Sequence, residues 1–313
     1  MSQTLGQTRV VDPILTTHVQ GYRQAGLVGH YLFPRAPVSV AGGRVLEFGK
    51  EAFREYNTGR APGSATSRIS FGYEGKPYAV FPHSLEAPVP RERLRDASRG
   101  PGIDLGMRAT SLTMQVIALS LEREQASIAV NAANYDADHK QAFAGGTKWS
   151  AATGTPLTDI ANAKEAIRKT IGLRPNTLVL SPDAWTSAEL NPQVVARIYP
   201  DRGPGEVGPV SLEHFSKVIG VPNVVVGEAV TAGADDAFSD VWGNNAVLAY
   251  VSQNPSPQME EPSYGYTYTM EGHPMVEVPY YDNNAKSWIY GVTNERTPQL
   301  TGMVAGFLFQ NPK

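Results

Sequence analysis

Residues 44–90 read as one long extended ribbon with nothing of its own to pack against, and this constrains the chain more than any other feature. Arg44-Val45-Leu46-Glu47-Phe48 alternates apolar and charged side chains, as a two-faced strand does. Residues 53–63 are turn-rich and charged, and extended runs return at 67–73 and 78–81. Gly75, Pro77 and Pro82 punctuate the return, which suits an edge or a free-standing ribbon and not a central strand. Two arms of about twenty residues reach roughly 60 Å at ~3.3 Å per residue. A two-stranded ribbon that long is marginal in isolation, so it needs a partner that a monomer does not supply. The segment before it has the same difficulty. Pro13, Pro34 and Pro37, with Gly21, Gly26, Gly29, Gly42 and Gly43, leave room only for a short helix near 14–24, which must dock on something to persist.

After residue 100 the pattern becomes that of an ordinary α+β protein. Pro101, Gly102 and Asp104 open a run free of proline until Pro156, predicting a helix over 103–134. It would be about 48 Å long at ~1.5 Å per residue. Leu105, Leu112, Val116, Leu119 and Arg123 form one stripe, with Ile117, Leu121 and Ile128 beside it. There are no sustained heptads, so the helix reads as a buried spine and not a zipper. Thr155 and Pro156 start an amphipathic helix carrying Ile160, Ala163, Ile167 and Ile171, and Gly172 stops it. A buried-type strand at 176–180, helices after Ser181 and Pro192, a helix through Phe215 and a strand at 223–226 make 151–255 an α/β unit. The tail predicts strands at 246–251, 264–270, 275–280, 287–293 and 303–309.

Catalytic chemistry has little to stand on. Cysteine is absent, which removes disulfides, thiolate zinc sites and a cysteine nucleophile. The stretch Gly203-Pro204-Gly205-Glu206-Val207-Gly208 matches G-x-G-x-x-G but follows a helical segment instead of a strand, so the phosphate cradle lacks its context. Asp136, Asp138 and His139 offer metal ligands without a fourth at fixed spacing, and a polar helix exit explains them better. His18, His30, His83, His139, His214 and His273 form no pair at ligand spacing. A triad scattered along the chain stays open. Arg91, Arg93, Arg95 and Arg99 are tempered by Glu92 and Asp96 and read as a solvated face or a partner contact. Tyr264, Tyr266 and Tyr268 alternate as sheet-packing residues do. The first residues carry no basic cluster before an apolar run, and no window approaches the ~20 apolar residues of a membrane span. The expectation is a soluble protein that is not exported by the general route.

Charge is unevenly placed. Residues 1–100 hold 13 basic and 8 acidic side chains, while 101–313 hold 14 and 22. An unsupported arm, an unsupported ribbon and opposite charge on the two parts predict contacts with copies of the same chain. Head-to-tail contacts that close give rings.

That order of parts resembles the major capsid proteins of tailed bacteriophages, which have the Hong Kong 97 (HK97-like) fold. The local matches are 56–63 with its Arg60-Ala61-Pro62-Gly63, 131–136, 174–180, 238–250, 263–268 and 302–308, which are similar to shell proteins of siphophages and related prophages. They cover essentially the whole chain. The resemblance implies an N-terminal arm at 1–33, an E-loop hairpin at 42–90 and a peripheral P-domain at 91–150 with the spine helix at 103–134. An axial A-domain at 151–255 and returning P-domain strands at 260–313 complete it. It implies hexamers and pentamers tiling an icosahedral shell around double-stranded DNA, without sequence-specific binding, enzymatic activity, metal or cofactor. The E-loop would lie across a neighbour, with Glu47, Lys50, Glu51, Arg54, Glu55 and Arg60 making intersubunit ion pairs. Some members cross-link through a Lys and an Asn; Lys50 lies in a suitable region, but the partner positions do not match. The arm begins almost at Met1, so a separate scaffolding protein is expected, along with a portal and a decoration protein. Assembly is expected in the bacterial host's cytoplasm, and the product is the virion capsid. The alternatives are an encapsulin-type nanocompartment shell and an α/β enzyme with a scattered triad.

Overall fold

The computed structural model describes residues 12–20, 26–46, 59, 75–97, 104–200, 209–233, 236–252 and 263–313. Its first sheet is organised around Ser287–Leu300, whose aromatic and branched residues Trp288, Ile289, Tyr290 and Val292 suit a central strand. Residues 287–296 pair antiparallel with Phe81–Pro90. The other edge of the same strand takes Met275–Val276 and Tyr280–Asp282, and its end pairs with Gly265–Met270, which lies parallel to Arg35–Val38.

The ribbon is therefore shorter than 44–90. Gly42–Leu46 pairs with Gly75–Ala79, and the chain then leaves the ribbon at Val80, whose N–H donates to the Ala41 carbonyl at 2.8 Å. Phe81–Pro90 joins the sheet as an edge strand with one neighbour, the position where Pro82, Pro88 and Pro90 cost no ladder bond.

The second sheet runs Lys140–Ala142, Gly306–Gln310, Asn245–Ala249, Thr177–Leu180, Asn223–Val226. Its central strands are buried along their length, as strands covered on both faces are. Helices Pro156–Ile171, Pro182–Glu189, Pro192–Ile198 and Leu212–Ile219 pack around it. The last three are capped by Ser181, Asn191 and Ser211, whose side chains accept backbone N–H groups. Gly172 and Gly220 end their helices in the left-handed conformation. The sheet recruits strands from outside 151–255. Asn245–Ala249 is buried and hydrogen-bonds on both edges, to Thr177–Leu180 on one and to the closing strand Gly306–Gln310 on the other.

The spine helix is Leu105–Ala129, shorter than 103–134. Asp104 caps it, accepting the Met107 N–H at 3.0 Å. Val130 ends it, and Asn131 caps a following 3-10 turn. The expected buried stripe is corrected by the structure. Gly106, Ala109, Thr110, Thr113, Met114 and Ile117 are buried in the first half, and Glu122, Gln125, Ala126 and Ala129 in the second. The five residues from Ile117 to Glu122 turn the helix by roughly 140° beyond a full turn at ~3.6 residues per turn. One face thus rests on the first sheet and a different face enters the core of the second. Leu112 and Val116 point away from both and are 59% and 49% exposed. Small residues take the contact because the sheet lies close: a Cβ on Gly106 would stand 2.7 Å from the Tyr290 ring.

Helix Pro13–Gln20 docks against this body. The Asp12 N–H donates to the Val276 carbonyl, the Val276 N–H donates to Thr16 Oγ1, and Val19 enters the cluster of Met114, Ile117, Val276 and Val292.

Candidate assembly surface

Two polar anchors make the two sheets and the spine helix one body. Glu122 is 2% exposed, and its carboxylate accepts the N–H groups of Val28 at 2.9 Å, Gly29 at 2.9 and 3.0 Å, and the Trp242 indole at 2.8 Å. Among the described residues no Lys or Arg pairs with it. Burial pushes its carboxyl up from the ordinary range, and the donated N–H groups pull the other way. Arg296 is fully buried, and its guanidinium donates to both oxygens of Glu124 and to the Ile117 carbonyl. Burial lowers its pKa and Glu124 opposes that. Sequence reading missed both anchors because charged residues on a helix and at a strand end look solvent-facing.

The Asp136, Asp138 and His139 cluster is engaged in structural contacts. Asp136 Oδ1 accepts the Asp138 N–H at 3.1 Å and meets His139 Nδ1 at 2.7 Å, while His139 Nε2 lies 3.3 Å from Thr170 Oγ1. These contacts fasten the spine helix exit to helix Pro156–Ile171. Among the described residues no group of three or more His, Asp or Glu side chains could hold a metal ion. Tyr264 is buried against Phe33 and Tyr135, and Tyr268 stacks on Tyr78. Arg91 pairs with Glu92, and Arg95 with Asp96, all solvent-exposed. Residues 203–208 lie outside the described residues, as do Glu47, Lys50, Glu51, Arg54, Glu55 and Arg60.

What remains is surface. Leu85 is opposite Val292 and Phe81 opposite Arg296, so both lie on the sheet face that carries the spine helix. Phe81 is 60% exposed and Leu85 40% on this sheet face, and Leu112 and Val116 are exposed on the outer side of the spine helix.

The chain is 34% identical over 309 residues to the major capsid protein of Burkholderia phage BcepMu, covering 97% of each. It is 50% identical to a phage-related protein from Bordetella bronchiseptica RB50, whose crystal structure matches with a TM-score of 0.80 over 98% of both chains. The capsid of cyanophage P-SCSP1u shares 11% identity with a TM-score of 0.58, covering 99% of this chain and 92% of that one, a likeness of fold. No family model matches the chain.

Proposed function

The chain belongs to the phage major capsid proteins and has their HK97-like fold, and from that premise we propose that it forms the hexamers and pentamers of an icosahedral shell around double-stranded DNA. The 34% identity to a phage major capsid protein over 97% of both chains carries this reading most directly. Phe81, Leu85, Leu112 and Val116 are exposed apolar side chains that a neighbour gains by covering. The ribbon base, Gly42–Leu46 with Gly75–Ala79, is held to its own chain, where Tyr78 stacks on Tyr268 and Gln299 donates to the Pro77 carbonyl; in this reading residues 47–74 lie on a neighbour.

In this reading 1–33 is the arm, 42–90 the E-loop region, 91–150 and 260–313 the P-domain and 151–255 the A-domain. Strand Gly306–Gln310 is lent to the A-domain sheet. The E-loop residues Glu47, Lys50, Glu51, Arg54, Glu55 and Arg60 make ion pairs with neighbouring subunits. The chain is a structural subunit without catalytic activity or cofactor, assembled in the host cytoplasm with a scaffolding protein, a portal and a decoration protein. Excess acid in 101–313 suits a container that does not clamp its genome, because strong phosphate neutralisation would trap it.

Negative-stain imaging of particles formed by the chain, with and without a candidate scaffolding protein, tests this, followed by analysis of particles recovered from infected cells. Uniform shells that hold DNA support it. Shells filled with cargo enzyme would instead favour a nanocompartment, and a monomer with turnover would favour an enzyme.

A further inference from the structure

A second two-stranded unit, Val230–Ala232 with Phe238–Asp240, joins neither sheet. Its register sets Val230 opposite Asp240 and Ala232 opposite Phe238, so these four share a face. Phe238 is 76% exposed. The hairpin's base is firmly held. The Val241 N–H donates to the Ala229 carbonyl at 2.9 Å, and the next residue, Trp242, is buried with its indole N–H on Glu122. A rigid stem presents a bare aromatic side chain.

Charge identifies the occupant. Between residues 226 and 242 the chain has four acidic residues and no Lys or Arg. Glu228, Asp236 and Asp240 lie exposed on and beside the hairpin. The complementary surface is helix Arg91–Ala97, where Arg91, Arg93 and Arg95 are exposed beside Glu92 and Asp96, three positive charges against two negative. Its first N–H donates to the Lys286 carbonyl at 3.1 Å, and Arg91 lies against Tyr281, whose ring meets the exposed Trp288 edge-on at 5.6 Å. Arginines beside aromatic rings are what the desolvated centres of interfaces are made of.

Within one chain these surfaces do not meet. The hairpin flanks residues 120–130 of the spine helix, whereas the arginine surface lies at the other end, where Tyr290 sits over Gly106. From Gly106 to Ser120 is about 21 Å at ~1.5 Å per residue. Two different, complementary patches at opposite ends of one rigid body make a heterologous contact, the kind that closes into rings.

We propose that the acidic hairpin of one copy, led by Phe238, docks on the Arg91, Arg93, Arg95, Tyr281 and Trp288 surface of the next copy and fixes their head-to-tail order within a capsomer. This rests on the shell-subunit reading. The experiment compares particle yield, by sedimentation and negative-stain imaging, for five chains under one low-salt assembly condition. They are the wild type, Glu228→Arg with Asp240→Arg, Arg93→Glu with Arg95→Glu, all four substitutions together, and Phe238→Ser. Circular dichroism and urea midpoints of the unassembled chains verify folding, and Phe238→Ser probes the contact without altering charge. Each two-site reversal and Phe238→Ser should lower yield by on the order of tenfold, and the four-site variant should recover to within about threefold of wild type. Wild-type shells with normal yield from the reversals, or a four-site variant no better than either parent, would overturn the docking contact while leaving the shell reading intact. Absence of shells from the wild type as well would overturn the shell reading and this contact with it.

Discussion

Replacing Glu122 with alanine should cost the folded chain about 3–5 kcal/mol, a large share of a typical domain's stability. Its carboxylate holds the N–H groups of Val28, Gly29 and Trp242 at 2.8–3.0 Å in a site from which solvent is excluded. Alanine strands three buried donors, each worth ~1–3 kcal/mol when left without an acceptor. Water entering the vacated space recovers part of that sum. Glutamine is the informative comparison. Its amide oxygen can take the Oε1 position, where Val28 and Trp242 donate, but its NH2 then opposes the Gly29 N–H. A cost of about 1–2 kcal/mol is expected. The pH dependence follows from burial, which holds this carboxyl above its ordinary value, so the folded chain binds the proton more tightly than the unfolded chain. Stability from this group is fully present below the ordinary carboxylate value and is lost as pH rises through the raised one. The advantage of wild type over Glu122→Gln should therefore shrink with rising pH across that window. Urea unfolding of the unassembled chains, followed by tryptophan fluorescence and circular dichroism across a pH series, measures all three quantities. An alanine variant within about 1 kcal/mol of wild type, or less costly than glutamine, would refute the reasoning, as would an advantage that grows with pH.

Gly227→Ala places a Cβ inside the Trp242 indole and should cost about 1–3 kcal/mol. Because that shift also disturbs Glu122, a double-mutant cycle with Glu122→Ala should show at least ~0.5 kcal/mol of coupling. Leu112→Lys and Val116→Lys alter exposed positions, so unfolding midpoints should stay within about 0.5 kcal/mol of wild type. Covering Leu112 in an assembly is worth about 1–2 kcal/mol per contact, and sedimentation velocity should show both variants failing to form particles. Arg54→Glu and Arg60→Glu should impair shells while the unassembled chain remains soluble; normal shells from both reversals would count against the intersubunit ion pairs.

Much of the architecture was legible because local signals and tertiary context agree. Asp104, Ser181 and Gly172 mark helix ends that the structure keeps. The run at 176–180 forms a strand whose residues 177–180 are buried, and the run at 223–226 forms the half-buried strand beside it. The spine helix shows where such reading stops. Its Leu105, Leu112, Val116 and Leu119 stripe is a true periodicity, but in the single chain Leu112 and Val116 face outward. The inward contacts belong to Gly106, Ala109 and Thr113, chosen for close approach and not for hydrophobicity. Periodicity also could not show that the buried face changes between Ile117 and Glu122, because that depends on two sheets contributed by distant parts of the chain. Glu122 and Arg296 were illegible for a related reason. A buried carboxylate satisfied by N–H groups 93, 94 and 120 residues away carries no local mark. Of the expected ribbon the structure describes the paired base, Gly42–Leu46 with Gly75–Ala79, and Phe81–Pro90 belongs to the sheet.

The most direct test of the central claim is the mass of the purified chain under assembly conditions, with and without a scaffolding protein, measured on single particles. A chain of 33.8 kDa that assembles through its exposed surfaces should appear as hexamers, pentamers or closed shells. A single species at the mass of one chain under both conditions would contradict it.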